Sequence, residues 1–267
     1  MKKVLIGFIG LAILGYLGLY VYLYSTQDDK FKSIPLAKNH NFHFDFDDEF
    51  EEINLQTKEN GLINSLLFKA DSSVGIVCFW KGNGGTLDNW GNLAQMFVEL
   101  NQDVIITDYR QHGKSEGEIT MNNFYSDCQA VYDFLKTRYS EDKITIIGYS
   151  LGTTLASHLS TFNNPNQTIL IDPKKRFSVD VFDKVFPLFP TINIFPFSTE
   201  QDIRNDKTPV TIITGTKSVL YKEANELRSS LKNTDKYLEI QGATHASILN
   251  EEGLKELIAE LLKGESR

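Results

Sequence analysis

The sequence predicts a doubly wound α/β domain carried behind one transmembrane helix. Three observations predict it: two leading strand patterns, then short β-branched runs alternating with amphipathic helices, and an uncharged apolar run at the N-terminus. The strand runs are continuous rather than alternating, as expected for parallel strands buried on both faces.

Residues 1–24 are expected to be a membrane anchor. Val4 to Tyr24 is a run without a charge, about 31 Å long as a helix, which matches a hydrocarbon core of about 30 Å. Lys2 and Lys3 precede it and Tyr20, Tyr22 and Tyr24 stand at its far end. That order favours a cytoplasmic N-terminus, with the following body on the periplasmic or extracellular side. Lys30 and Lys32, just beyond the run, weaken the asymmetry. A cleaved signal peptide is the rival reading, against which stand the length of the run and the poor cleavage region "STQDDK".

Residues 25–49 read as a linker and edge segment. Within "HNFHFDFDDEF", His40, His43, Asp45 and Asp47 form a nominal ligand set. Alternation instead puts His43, Asp45 and Asp47 on one face and Phe42, Phe44 and Phe46 on the other, the pattern of an edge strand covering a core.

The domain proper is expected over 50–267, with strands at 50–57, 62–69, 75–80, 103–108, 143–148, 167–171, 209–214 and 236–241. One helix should carry Trp90, Leu93, Ala94, Phe97 and Val98, and a second Phe124, Cys128, Val131, Phe134 and Leu135. A third should carry Leu151, Leu155, Leu159 and Phe162, and the last Leu254, Leu257, Ile258, Leu261 and Leu262. Residues 174–208 break the rhythm with three prolines and many aromatics, and are expected to form a short cap. Cys78 and Cys128 fall on apolar stripes and read as core thiols rather than a disulfide.

Charge narrows the partners. Outside residues 1–24 the chain has 25 Lys and Arg against 35 Asp and Glu, a net of −10. A body this acidic argues against nucleic acid, whose phosphates need clustered basic residues. A phosphate-binding loop is also excluded: "GNGG" lacks the Gly-Lys-Ser/Thr ending, and "GKS" at 113–115 has Asp108 where a glycine is required.

The chemistry centres on "GYSLG". Ser150 follows a strand and precedes a helix, and its flanking glycines allow a tight turn that lifts the hydroxyl above the sheet at the positive end of the helix. A helix-capping serine would explain the hydroxyl but not both glycines. A serine needs a base. Of the five histidines only His245 in "QGATHASIL", between the last strand and the last helix, follows Ser150 at a C-terminal strand edge. The oxyanion needs backbone N–H donors, expected from Leu151 and from Asn83 in the turn "KGNGG", with Gly82 as the alternative.

The ordered set "KGNGG", "DYRQHGKSEGE", "GYSLG", "ILIDP", "TPVTIITGTK" and "GATH" resembles the α/β-hydrolase superfamily, and within it the Bem46-like group of small-capped serine hydrolases, over roughly residues 50–263. The resemblance implies an α/β-hydrolase fold: a mostly parallel eight-stranded sheet with helices on both faces and a short cap, with Ser150 and His245 catalytic. Two departures stand out. Lys81 replaces the usual histidine of the third-strand turn, and reads as a solvated or paired cation or as a bias toward anionic substrates. Ser218 replaces the aspartate that normally orients the histidine, and a hydroxyl cannot supply its charge. Asp172 in "ILIDP", after the sixth strand, is the candidate substitute; a dyad aided by Ser218 or water, another carboxylate, or an inactive site are the alternatives.

The expected function is therefore a membrane-anchored serine hydrolase cleaving an ester or other acyl bond through an acyl-enzyme on Ser150, with a small-molecule or lipid-like substrate. No metal or organic cofactor is required. A degenerate protein of the same fold that binds a ligand or partner without turnover is the alternative.

Overall fold

The computed structural model describes residues 2–32, 42–176 and 195–263. The first helix, α1 (Lys2–Ser25), is long and apolar enough to cross a membrane and buries none of its residues. It takes no part in the sheet. The eight strands are β1 (Phe50–Thr57), β2 (Gly61–Phe68), β3 (Gly75–Trp80), β4 (Gln102–Thr107), β5 (Ile144–Tyr149), β6 (Gln167–Ile171), β7 (Val210–Gly215) and β8 (Lys236–Ile240). They join one sheet in the order β1-β2-β4-β3-β5-β6-β7-β8. The β1/β2 and β2/β4 pairs are antiparallel and every later pair is parallel. Each expected strand is present, within one residue at either end.

Residue parity along the strands divides the core. Ile76, Cys78 and Trp80 of β3 turn toward one layer, where they meet Cys128, Val131 and Leu135 of α4 (Met121–Lys136) and Leu155 and Leu159 of α5 (Leu151–Thr161). Val77 and Phe79 turn to the other, against Phe97 and, in α8 (Glu252–Lys263), Leu254 and Ile258. Each such aliphatic side chain contributes about 1.5–3 kcal/mol when fully buried. Cys78 and Cys128 are free and buried in the first layer, and burial pushes both thiols far above their ordinary pKa.

Two expectations are modified. The single helix carrying Trp90 to Val98 is broken into α2 (Leu87–Trp90), a 3-10 turn at Gly91–Leu93 and α3 (Ala94–Val98). The break lets Phe46 close over Gly91, where a Cβ would lie 2.2 Å from the ring. Residues 42–49 form no strand, although their faces alternate as expected: Phe44 is buried and His43, Asp45 and Asp47 are exposed. The phenylalanines stack across the sheet rather than extend it, Phe46 lying 5.4 Å from Phe68 and 5.6 Å from Phe50 between ring centroids. His40 lies outside the described residues, as do residues 177–194 of the expected cap. The cap's last part is a helix, α6 (Thr199–Asn205), in keeping with a short helical cap, and α7 (Tyr221–Glu226) follows β7. It packs on α5, where Ser157 donates to Asp202 at 3.3 Å and Ser160 donates to Asp206, the residue following α6.

The closest backbone approach lies where α5 starts. A Cβ on Gly152 would stand 1.9 Å from the Trp80 carbonyl oxygen, so the first turn of α5 rests directly on the end of β3. Gly152→Ala must push the first turn of α5 off the end of β3, and is expected to cost about 3 kcal/mol, a fall in Tm of about 10 °C. Gly253→Ala, in α8 with its nearest neighbour 3.8 Å away, is expected to be neutral or stabilising by about 0.5–1 kcal/mol. Thermal melts of the two variants check the contrast.

Candidate active site

Ser150 sits between β5 and α5 with φ 52° and ψ −116°, a backbone conformation costing a non-glycine residue about 1–3 kcal/mol. The surroundings hold it there. Its N–H donates to Ile171 O at 3.1 Å, and a Cβ on Gly148 would lie 2.4 Å from Gly152 O. The sharp turn leaves the Ser150 side chain partly exposed at the C-terminal edge of the sheet.

Asp172 follows β6, also with positive φ, 53°. Its carboxylate has no exposed surface and collects four donors. Thr214 Oγ1 donates to Oδ1 at 2.7 Å and Gly215 N at 3.4 Å; Ser218 Oγ donates to Oδ2 at 2.5 Å. The fourth is His245, whose Nδ1 lies 2.6 Å from Oδ2. Burial alone would raise the carboxyl pKa, but the hydrogen bonds from His245, Ser218 and Thr214 outweigh it and hold Asp172 below the ordinary aspartate value. A charged Asp172 requires Nδ1 to carry the proton, which leaves Nε2 free to accept one. The structure thus brings Asp172 and His245 together, and puts Ser218 behind them as a donor to the carboxylate.

His245 is fixed to the serine turn from its other side. The ring stacks on Tyr149 at 5.1 Å between centroids, and Tyr149 OH donates to His245 O at 2.6 Å. Burial raises Tyr149 to about 12, so the hydroxyl keeps its proton. Among the described residues no hydrogen bond joins Ser150 to His245. Nucleophile–base contacts commonly tighten only when substrate is bound.

Leu151 begins α5, and Asn83 lies in the turn following β3. β3 and β5 are parallel neighbours with Trp80 opposite Gly148, so the two turns leave the same sheet edge side by side. Three side chains brace the turn holding Asn83. Tyr109 OH donates to Lys81 O, Lys81 Nζ donates to Gly85 O at 2.9 Å, and Trp90 Nε1 donates to Gly84 O at 2.7 Å.

Lys81 is neither solvated nor aimed at a pocket. Its side chain has no exposed surface, and Nζ faces Asp108 Oδ1 at 3.3 Å, His112 Nδ1 at 2.9 Å and the Tyr109 ring at 4.8 Å. Burial drives both members of the pair toward neutrality, lowering Lys81 and raising Asp108 to about 6. The rest of "DYRQHGKS" is equally structural. Arg110, buried, grips both oxygens of Asp127 at 2.7 and 2.9 Å and donates to Lys58 O at 2.7 Å, which ties the β1–β2 hairpin to α4.

Sequence reasoning did not anticipate the roles of Tyr149, Thr214 and His112. Tyr149 occupies a variable position inside the serine motif, and Thr214 is one β-branched residue among several. His112 reads as a loop histidine until Lys81 is seen to need a neutral acceptor.

A groove of about 880 Å³ runs between α3 and α8, lined by Trp90, Met96, Tyr149, Ala246 and Leu249 among others. Tyr149 and Ala246 are the chain neighbours of Ser150 and His245.

Residues 75–169 match a family model described as the alpha/beta hydrolase fold. Bem46 of Schizosaccharomyces pombe is 28% identical over 224 residues, covering 78% of this chain and 73% of that protein. The lysophosphatidylserine lipase ABHD12 of Macaca fascicularis is 26% identical over 163 residues, covering 53% of this chain and 41% of the lipase, less than half its length. Among solved structures, the esterase Pf2001 of Pyrococcus furiosus superposes with a TM-score of 0.64 at 23% identity, over 81% of this chain and 92% of the esterase. A complex of DcsB with a substrate analogue gives 0.68 at 17% identity, over 80% and 98%. At these identities the structural likeness is one of fold.

Ser218→Ala removes one donor from a buried carboxylate, and the expected loss is about 1.5–3 kcal/mol at pH 7. The sign with pH follows from the depressed pKa of Asp172. Stability from its donors is present above the unfolded value and is lost as pH falls through the folded one. The deficit of the variant should therefore shrink toward pH 3, as thermal melts between pH 3 and 7 would show.

Proposed function

We propose that this chain, a member of the α/β-hydrolase superfamily with Bem46-like relatives, is a serine hydrolase that cleaves an ester or related acyl bond. The observation that carries the reading is the 2.6 Å contact of His245 Nδ1 with buried Asp172, beside a serine held in a strained strand-to-helix turn. In this reading Ser150 is the nucleophile, His245 the base and Asp172 the acid that orients it. Leu151 and Asn83 supply the oxyanion N–H groups.

The steps balance without a cofactor. Ser150 Oγ bonds to the carbonyl carbon as its proton passes to His245 Nε2, and the carbonyl oxygen takes the negative charge opposite the two N–H groups. Collapse of that intermediate breaks the bond to the leaving alkoxide, which receives the proton from Nε2. A water then repeats the sequence on the acyl-enzyme and returns Ser150. Asp172 stays ionised throughout and stabilises the transient imidazolium.

Two sequence features raised the non-catalytic alternative, and neither favours it now. Ser218 serves as a donor to the carboxylate beside His245, and Lys81 is spent inside the domain. The substrate class we propose is acyl and lipid-like, in keeping with the apolar α1, the groove beside Tyr149 and the named activity of the lysophosphatidylserine lipase relative. We further propose that residues 1–24 anchor the protein, that 25–49 connect the anchor to a domain over 50–267 while lending Phe31 and Phe44 to its core, and that the domain lies outside the cytoplasmic face.

Labelling with a fluorophosphonate probe should modify Ser150 and be abolished in Ser150→Ala and His245→Ala; a folded wild type that takes no label would falsify the proposal. Asp172→Asn should lower kcat by about 10³–10⁴, the scale of loss when a triad aspartate is replaced by its amide. An unchanged kcat would remove Asp172 from the mechanism. Protease added outside intact cells or spheroplasts should digest the domain, and protection of the domain would reverse the proposed orientation.

A further inference from the structure

Residues Asp28–Phe31 form one 3-10 turn, three residues beyond the end of α1. Lys32 Nζ closes the turn on Asp28 at 3.0 Å and Asp29 at 2.6 Å. Those pairs are exposed and contribute little. Phe31 holds the turn to the domain. Its ring is fully buried against Phe195, Phe124 and Phe197, at 4.5, 5.5 and 6.3 Å between centroids.

The Phe31 backbone is engaged as well. Its carbonyl accepts a hydrogen bond from His112 Nε2. The other ring nitrogen, Nδ1, lies 2.9 Å from Lys81 Nζ and can only accept there, since an ammonium has donors alone. The contacts therefore fix one neutral tautomer. Burial and the adjacent Lys81 charge lower His112 to about 4, so it remains neutral across the physiological range. Lys81 Nζ in turn donates to Gly85 O, and residues 81 and 85 bracket Asn83. A continuous chain of contacts runs from the foot of the apolar helix to the oxyanion turn.

We propose that Phe31 is a positioning residue for the oxyanion turn, acting through His112 and Lys81. The inference rests on the serine-hydrolase reading above. Phe31 seals the buried cluster and holds the imidazole that orients the Lys81 ammonium. Without it, water reaches a lysine, a histidine and an aspartate that all depend on being dry, and the turn carrying Asn83 loses its fixed carbonyl at Gly85. A shift of tenths of an ångström there weakens binding of the transition state more than of the substrate.

The test uses the full chain in detergent with 4-nitrophenyl butyrate, a soluble ester that needs no membrane delivery. Phe31→Ala should lower kcat about tenfold or more with KM within about twofold, given that misplacement by 1 Å costs about a hundredfold. Phe31→Leu, which still fills the aromatic cage, should recover most of the rate. His112→Ala should lower kcat similarly, and the double variant Phe31→Ala/His112→Ala should fall no further than the weaker single one. Ile258→Ala, a core cavity in α8, supplies the purely structural comparison: a lower Tm with wild-type kcat. If Phe31→Ala does not fold, Phe31→Val takes its place in the series. An unchanged kcat in a folded Phe31 variant, a loss no greater than that of Ile258→Ala, or multiplying effects of Phe31 and His112 would each overturn the inference alone. A wild type without esterase activity or Ser150 labelling would overturn the hydrolase reading and this inference together.

Discussion

Burying a carboxylate costs several kcal/mol unless its oxygens find donors, and Asp172 meets that cost with donors from three stretches of chain. Thr214 and Gly215 belong to β7, Ser218 to the turn beyond it, and His245 to the loop after β8. The carboxylate therefore sets the separation of the β6, β7 and β8 ends at the C-terminal edge of the sheet. It also fixes the tautomer of His245. Stability and proposed catalysis draw on the same four contacts, so position 172 tolerates neither an apolar residue nor a free solvent-exposed acid.

The Lys81 cluster obeys the same rule with the sign reversed. A cationic group with no exposed surface needs its protons placed: Gly85 O and His112 Nδ1 accept from it, and the Asp108 carboxylate faces it at 3.3 Å as an ion pair. By contrast, the Arg138–Glu51 pair at 2.6 Å is geometrically as good. It is solvent-exposed, and pairs of that kind are worth about 0–1 kcal/mol. Burial, rather than distance, separates the charges that organise the site from those that decorate the surface.

The parallel strands were legible because each is a short β-branched run, and a run buried on both faces carries its own signal. The serine turn was legible because it requires two glycines at fixed spacing, one of them so that α5 can rest on Trp80 O. What escaped was whatever depends on contacts far apart in the chain. From sequence Asp172 competes with a dyad, because Ser218 stands 46 positions further along the chain and nothing in the pattern shows their 2.5 Å hydrogen bond. From sequence Lys81 reads as a solvated or paired cation or as a pocket charge, and only the fold shows the pair, because its partners His112 and Asp108 lie beyond α2 and α3 and the whole of β4. The α2–α3 break was invisible for a related reason: its cause is Phe46, which comes from the segment before β1. Periodicity reports which face is apolar; it does not report which partner fills that face.

The spacing between α1 and Phe31 constrains the molecule further. The apolar helix ends at Ser25 and Phe31 is already seated in the core six residues later. Six residues span at most about 20 Å even when fully extended, and four of these are wound into a 3-10 turn. With α1 as the proposed anchor, the side of the domain that encloses Phe31, Phe195 and Phe197 lies within about 20 Å of the membrane. His112 and then Lys81 follow Phe31 in the chain of contacts that leads to the turn holding Asn83. A long flexible tether would let the domain tumble and meet soluble esters from any direction. Under the proposed anchoring, a six-residue connection ending in a buried phenylalanine would instead hold the proposed oxyanion edge near the bilayer surface, where the proposed acyl substrate would be concentrated and already oriented. The short connection is thus a physical argument for a membrane-derived substrate that is independent of any likeness to lipases.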